Sequence, residues 1–195
     1  MRRLTEIIRL PVMPRVAFED NVRLLSEDMF DVALDHERLK ILKIITFGVT
    51  RPCIMMKKLR IPKSTLYRHL NLLLRSGWLE KKNGEYILSS SIYLVYRVVN
   101  DNYKIEIEIL SNKGAFIDEK TGFIIITGKE PTINCTRCPL LTQCTSIVKD
   151  LASRLEIKIR SSTPAEAFVE IMSKIATRIF SKQVSNSYLD VKLRT

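Results

Sequence analysis

Asn83-Gly84 lies between two short runs, Trp78-Leu79-Glu80-Lys81-Lys82 and Glu85-Tyr86-Ile87-Leu88, that both read as strand. Asn-Gly suits the two left-handed central positions of a tight turn and is the strongest short-range hairpin signal a sequence offers. Just upstream, Leu66, Leu70, Leu73 and Leu74 recur at helical spacing. On a helical wheel they fall within roughly 80° of Leu66, while Ser64, Arg68, Asn71 and Arg75 fall near the opposite pole. Pro62 suits the first turn of this helix, Leu59-Arg60-Ile61 supplies a tight turn before it, and Ser76-Gly77 stops it with Gly77 left-handed. An amphipathic helix, a glycine stop and an Asn-Gly hairpin in immediate succession leave few folds open.

The segment before this run completes a module. His36–Gly48 reads as a helix with Leu39, Leu42, Ile44 and Ile45 on its buried side and Gly48 at its end. Ile54–Leu59 reads as a shorter helix that exposes Lys57 and Lys58. Residues 36–90 therefore run helix, helix, helix, hairpin. Charge is concentrated in the same segment: twelve Lys and Arg face only Glu37, Glu80 and Glu85, a balance of +9 out of the whole chain's +11. A solubility device needs no such concentration, whereas a polyanion-binding surface does.

The flanks are less specific. Residues 1–35 open with the proline-broken Leu10-Pro11-Val12-Met13-Pro14. Val22, Leu25, Met29, Val32 and Ala33 then recur at helical spacing over Asn21–Leu34, which predicts an N-terminal helical arm able to support dimerisation. Residues 91–195 form a C-terminal α/β region. Lys104–Ile109 alternates at period two, and a hairpin is expected from Gly114–Gly122 into Phe123–Thr127. Ile147, Leu151 and Leu155 make a short helical stripe, and Thr163-Pro164-Ala165-Glu166 is a capping box with proline at the first helical position. Behind it, Phe168, Ile171, Met172, Ile175, Ile179 and Phe180 form one apolar face, which fits either packing within the chain or a dimer interface. The fold class expected is α+β: a winged helix-turn-helix with an added C-terminal α/β portion.

The pattern Arg38-Leu39…Ile41-Leu42…Leu59…Ile61-Pro62-Lys63-Ser64-Thr65-Leu66-Tyr67-Arg68-His69-Leu70…Leu73…Gly77-Trp78-Leu79 resembles the ArsR-like winged-helix regulators in their archaeal form. The resemblance covers about residues 36–90. It implies a homodimer on double-stranded DNA, the Ser64–Arg75 helix in the major groove and the hairpin, as a wing, along the backbone. The residues expected to meet DNA are Lys57, Lys58, Lys63, Ser64, Thr65, Tyr67, Arg68, Asn71, Arg75, Lys81 and Lys82. His69 is read as a phosphate contact or a packing residue.

Three of the four cysteines lie in a C-x2-C-P-x4-C pattern, Cys135-Thr136-Arg137-Cys138-Pro139 continuing to Cys144, within the loop 135–144. Two-residue spacing lets two thiolates point at one ion. The candidate ligands are Cys135, Cys138 and Cys144, with Cys53 as the fourth and His36 as a lesser alternative. Zinc and an iron–sulfur cluster are both compatible with the spacing, as are a disulfide and free thiols. The loop also resembles the cysteine run of the archaeal initiation factor E beta subunit and its RNA polymerase III relative, which pair a winged helix with an iron–sulfur site. That implies a second reading, a general transcription factor or polymerase-associated subunit working through protein contacts.

Enzyme classes find no support. His36 and His69 are the only histidines, and the chain has no glycine-rich phosphate loop, paired-carboxylate motif or nucleophile elbow. Asp28, Asp31 and Asp35 read as a solvated helix face. The apolar runs Ile41–Gly48 and Phe123–Thr127 fall far short of the ~20 residues that a membrane span needs. Met1-Arg2-Arg3-Leu4 begins basic, but Glu6, Arg9 and two prolines break the pattern of a signal peptide. The expectation is a soluble, cytoplasmic, DNA-binding transcriptional regulator without enzymatic activity, responsive to metal or redox state through its cysteine loop.

Overall fold

A computed structural model of the chain describes residues 22–101, 104–128, 135–183 and 191–194. Its elements run β1 (Val22–Ser26), α1 (Glu27–Asp31), α2 (His36–Thr46), α3 (Pro52–Leu59), α4 (Lys63–Arg75), β2 (Leu79–Lys82), β3 (Glu85–Leu88), β4 (Ile92–Asp101), β5 (Lys104–Asp118), β6 (Phe123–Thr127), α5 (Leu141–Arg154), α6 (Pro164–Gln183) and β7 (Val191–Arg194). Short 3-10 turns occupy Val32–Leu34 and Cys135–Arg137. The fold is mixed α+β. Among the described residues no helix is long and apolar enough to cross a membrane.

The long antiparallel pair β4–β5 is the spine of the larger sheet. β1 lies parallel to β4, β6 antiparallel to the second half of β5, and β7 parallel to its first half. Period-two alternation along these strands sends side chains to two separate cores. Ile92, Leu94, Ile107, Ile109, Phe116 and Ile125 are buried with the apolar faces of α5 and α6. Tyr93, Val95, Ala115 and Ile117 point the other way and are buried with Ile41, Leu42, Met55, Leu66, Leu70 and Leu73 from α2, α3 and α4. The sheet is thus a middle layer, covered by the three-helix unit on one face and by α5 and α6 on the other.

Several expectations are revised by this packing. The arm predicted over residues 1–35 is helical only in part where it is described: Glu27–Asp31 is a short helix followed by the 3-10 turn Val32–Leu34, but the segment before them is not. Val22–Ser26 is a strand, because Val22 and Leu24 pack toward α5 and α6 while Leu25 enters the opposite core. That alternation was masked by apolar residues that also fit a helical wheel. The remainder of the arm, 1–21, lies outside the described residues. The expected boundary at residue 90 runs through a shared core rather than between two. The α6 stripe, Phe168, Ile171, Met172, Ile175 and Ile179, is buried in its own chain, as are Leu25, Phe30 and Ala33. The α6 face considered for a dimer is therefore internal at these positions, whereas Met29 of the N-terminal stripe is exposed and Val22 and Val32 are half-buried. Two of the three aspartates also have structural partners. Asp31 pairs with Lys113 at 2.8 Å, and Asp35 caps α2 by accepting from the Glu37 and Arg38 N–H groups at 3.1 and 3.2 Å.

Lys113 owes its position to a register break. Leu94 pairs with Gly114 but Val95 pairs with Leu110, so residues 111–113 are extruded from β5. The buried Lys113 ammonium then reaches Glu27 at 3.0 Å as well as Asp31, tying α1 to the sheet. A second tie sits at Trp78, directly after the α4 glycine stop. Its indole stacks on Tyr93 with centroids 4.2 Å apart, lies 5.4 Å from the Phe30 ring, and donates from Nε1 to the Met29 carbonyl at 3.1 Å. Tyr93 donates its hydroxyl to the Trp78 carbonyl at 3.1 Å and accepts from the Ser90 N–H at 3.2 Å. Burial pushes the Tyr93 phenol up to about 12, so it stays a donor at any physiological pH.

On the far side, α6 begins at the predicted cap, with Thr163 Oγ1 accepting from the Glu166 N–H at 3.3 Å. One turn further, Glu170 clips the preceding loop. Its carboxylate accepts from the Arg160 N–H at 2.9 Å and the Ser161 hydroxyl at 2.9 Å, and Lys174 donates to it and to the Lys158 carbonyl. The Lys174 ammonium first, and then these loop N–H groups, hold the carboxyl down at about 2.

Two predictions follow from the packing. Trp78→Ala should lower unfolding free energy by about 3–5 kcal/mol, because a fully buried indole leaves a cavity at the junction of α4, β4 and α1; chemical denaturation reads this directly. Glu170 is depressed in the folded state, so its stabilising effect is complete above the ordinary carboxylate range and fades as pH falls toward about 2. The difference in Tm between wild type and Glu170→Gln should therefore be present near neutral pH and vanish in strong acid. An equal difference at every pH would show that the loop clip owes nothing to the carboxylate charge.

Candidate nucleic-acid interface

The site is built on α2, whose Ile41, Leu42 and Ile45 provide the buried platform for α4. The chain leaves α3 through Arg60, which takes a left-handed conformation with φ 54°, and enters α4 from Pro62. Leu66, Leu70 and Leu73 are fully buried. Lys63, Ser64, Arg68, Asn71 and Arg75 are all exposed, and Thr65 and Tyr67 are half-buried at the flanks. One polar face of α4 thus presents five of the residues expected from the wheel. Neither α3 nor α4 has a side-chain N-cap, since Arg51 and Pro62 hold those positions.

The exit from α4 is equally defined. Gly77, at φ 81°, donates to the Leu74 carbonyl at 3.1 Å, and Trp78 donates to Leu73 at 3.0 Å. This pair of bonds is the Schellman ending, which needs a left-handed residue where a Cβ is costly. β2 and β3 then pair from Leu79 opposite Leu88 to Lys82 opposite Glu85. The turn has φ 52° at Asn83 and φ 79° at Gly84, both positive as the primed turn demands. Lys81 and Lys82 are exposed on the rising strand, with Lys57 and Lys58 exposed in the last turn of α3.

Ion pairing divides the basic residues into two groups. Arg51 pairs with Glu85 at 2.9 Å, and Glu80 holds both Lys82 at 3.1 Å and Arg23 at 3.2 Å. The Arg51 guanidinium is also the main cause that lowers the Glu85 carboxyl. Lys57, Lys58, Arg60, Lys63, Arg68, Arg75 and Lys81 have no ion-pair partner among the described residues. Lys81 only passes over the Tyr86 ring, 5.5 Å from its centroid. Arg60 was missed in the sequence because it was assigned only to the turn; its place directly between the two helices was the available signal. Lys82, by contrast, is engaged by Glu80.

His69 is a packing residue: it is 6% exposed and faces the core beside Leu66, Leu70 and Leu73. Its Nδ1 lacks a hydrogen-bond partner among the described residues.

The four cysteines are not brought together. Cys53 is exposed in the first turn of α3. Cys135 and Cys138 sit in and just after the 3-10 turn, and Cys144 lies in the first turns of α5. Burial first, and then the neighbouring Cys135 and Cys138 thiols, push the Cys144 thiol up; Cys53 takes no part. Among the described residues no three His, Cys, Asp or Glu side chains gather as a metal site. The donor set expected for zinc or an iron–sulfur cluster, with Cys53 completing Cys135, Cys138 and Cys144, is thus not gathered among the described residues.

Compared with protein-family models, with curated proteins and with solved structures, the chain finds no match.

Proposed function

We propose that residues 36–90 form a winged helix-turn-helix that binds double-stranded DNA, with α4 in the major groove and the β2–β3 hairpin against the backbone. The chain then acts as a sequence-specific, cytoplasmic transcriptional regulator rather than an enzyme. One observation carries this reading: among the described residues, seven cations on α3, α4, their connecting turn and β2 stand without acidic partners, whereas neighbouring Arg23, Arg51 and Lys82 are paired. Unpaired cations repel one another in the free protein and are relieved by a polyanion, which releases its condensed counterions on binding. Ser64, Arg68 and Asn71 on the exposed face of α4 are the residue types that hydrogen-bond base edges. The uncapped first turns of α3 and α4 leave backbone N–H groups suited to phosphate oxygens.

A homodimer covering two half-sites about one helical turn apart belongs to the same reading. It must form outside the α6 stripe, whose Phe168, Ile171, Met172, Ile175 and Ile179 are internal.

Binding-site selection from random duplexes, followed by fluorescence anisotropy on the selected sequence, tests the proposal. Arg68→Ala should cost about 1–3 kcal/mol on the selected duplex and relax its preference at one position. Lys81→Ala should weaken selected and random duplexes alike and reduce the slope of log Kd against log salt by about one unit. A folded protein that binds no duplex even at low salt would overturn DNA binding in favour of protein contacts.

A further inference from the structure

Among the described residues no three metal donors gather, but the backbone of the cysteine segment arranges two of the thiols for another chemistry. Cys138 donates its N–H to the Cys135 carbonyl at 3.2 Å, and Leu141 donates to the Cys138 carbonyl at 3.1 Å. Each bond spans three residues, the 3-10 pattern, in which side chains at i and i+3 eclipse on one face. A hydrogen-bonded turn of this kind holds its end Cα atoms within about 7 Å. The separation compatible with a disulfide is about 4.4–6.8 Å. Cys144 follows Cys138 by six residues. It lies inside α5, beyond the hydrogen-bonded turn that joins the other two.

Accessibility separates the two partners. Cys135 is buried at 9% exposure, Cys138 is half-buried and open to solvent, and all four cysteines are free thiols. Cys144 packs its side chain against the core under α5 and α6. Burial pushes that thiol up, which makes it a poorer competitor for an oxidant.

We infer that Cys135 and Cys138 are a redox-active dithiol that closes to a disulfide on exposure to hydroperoxides. Cys138, the accessible thiol, attacks the peroxide as its thiolate. The O–O bond breaks, an S–OH group forms on Cys138 and the alcohol or water leaves with a proton. The Cys135 thiolate then attacks the Cys138 sulfur, the S–S bond forms and water leaves. In sum, two thiols and one hydroperoxide give one disulfide, one alcohol (or water) and one water. The protein loses two electrons and two protons, and the peroxide gains them. A dithiol reductant reverses the change through a mixed disulfide. This site is independent of the DNA-binding reading.

The test uses the full chain, reduced and purified without oxygen, at low concentration to suppress pairing between exposed Cys53 thiols. Hydrogen peroxide is added in slight excess, and thiol titration, intact mass and peptide mapping are read together. The expected result is a fall from four titratable thiols to two, a mass loss of two hydrogens, a linkage mapped to Cys135–Cys138, and full recovery with dithiothreitol. Cys144→Ser should lose two thiols as the wild type does, while Cys138→Ser should form no intramolecular disulfide. Far-UV circular dichroism checks that each variant is folded. If oxidation stops at sulfinic acid, links Cys144 or Cys53, or proceeds unchanged in Cys138→Ser, the inference is overturned.

Discussion

The Trp78 indole is the contact on which the arrangement of layers depends. It follows the glycine that ends α4, so its position is set by the helix; it stacks on Tyr93, so its position is also set by the sheet. Both rings are fully buried, and each polar edge is used, the indole N–H toward Met29 and the phenol toward the Trp78 and Ser90 backbone. Polar groups satisfied at such a depth are specific as well as stabilising, because any sliding of helix against strand would leave a buried donor without an acceptor. The α4 axis therefore has little freedom relative to β4.

This linkage changes what residues 36–90 are. As a sequence they look like an autonomous module with its own charge and its own core. In the fold, the core under α4 is completed by Tyr93, Val95, Ala115 and Ile117 from the sheet and by Leu25, Phe30 and Ala33 from the segment before the module. The basic face stays outside all of this, because the buried leucines of α4, Leu66, Leu70 and Leu73, lie on its opposite face. Cations without acidic partners among the described residues repel one another, and a rigid apolar backing holds them in place on one surface.

The same sheet carries α5 and α6 on its other face, with the cysteine turn at the start of α5. Two-sided burial of β4 and β5 explains why one strand pair can serve two cores: adjacent residues such as Tyr93 and Leu94 belong to different ones. The extrusion of residues 111–113 preserves that division. It lets β5 change pairing partner from β7 to β6 along its length while Lys113 is captured by the acids of α1.

Local chemistry made part of this legible in the sequence. Asn83-Gly84, Ser76-Gly77 and Thr163-Pro164 determine a turn, a helix stop and a helix start through backbone sterics and hydrogen bonds a few residues long, and the leucines of α4 separate its two faces. The exposed positions of Lys63, Ser64, Arg68, Asn71 and Arg75 follow from that periodicity alone. What needed the tertiary structure is everything that depends on distant partners. Val22–Ser26 is a strand because β4 offers it an edge and two cores, although its apolar residues also fit a helix. The α6 stripe covers the sheet and not a second copy, and Cys53 stands apart from the other cysteines, because residues far apart in the chain meet only where packing places them. Spacing encodes which face of an element is apolar; only the assembled layers decide what that face meets.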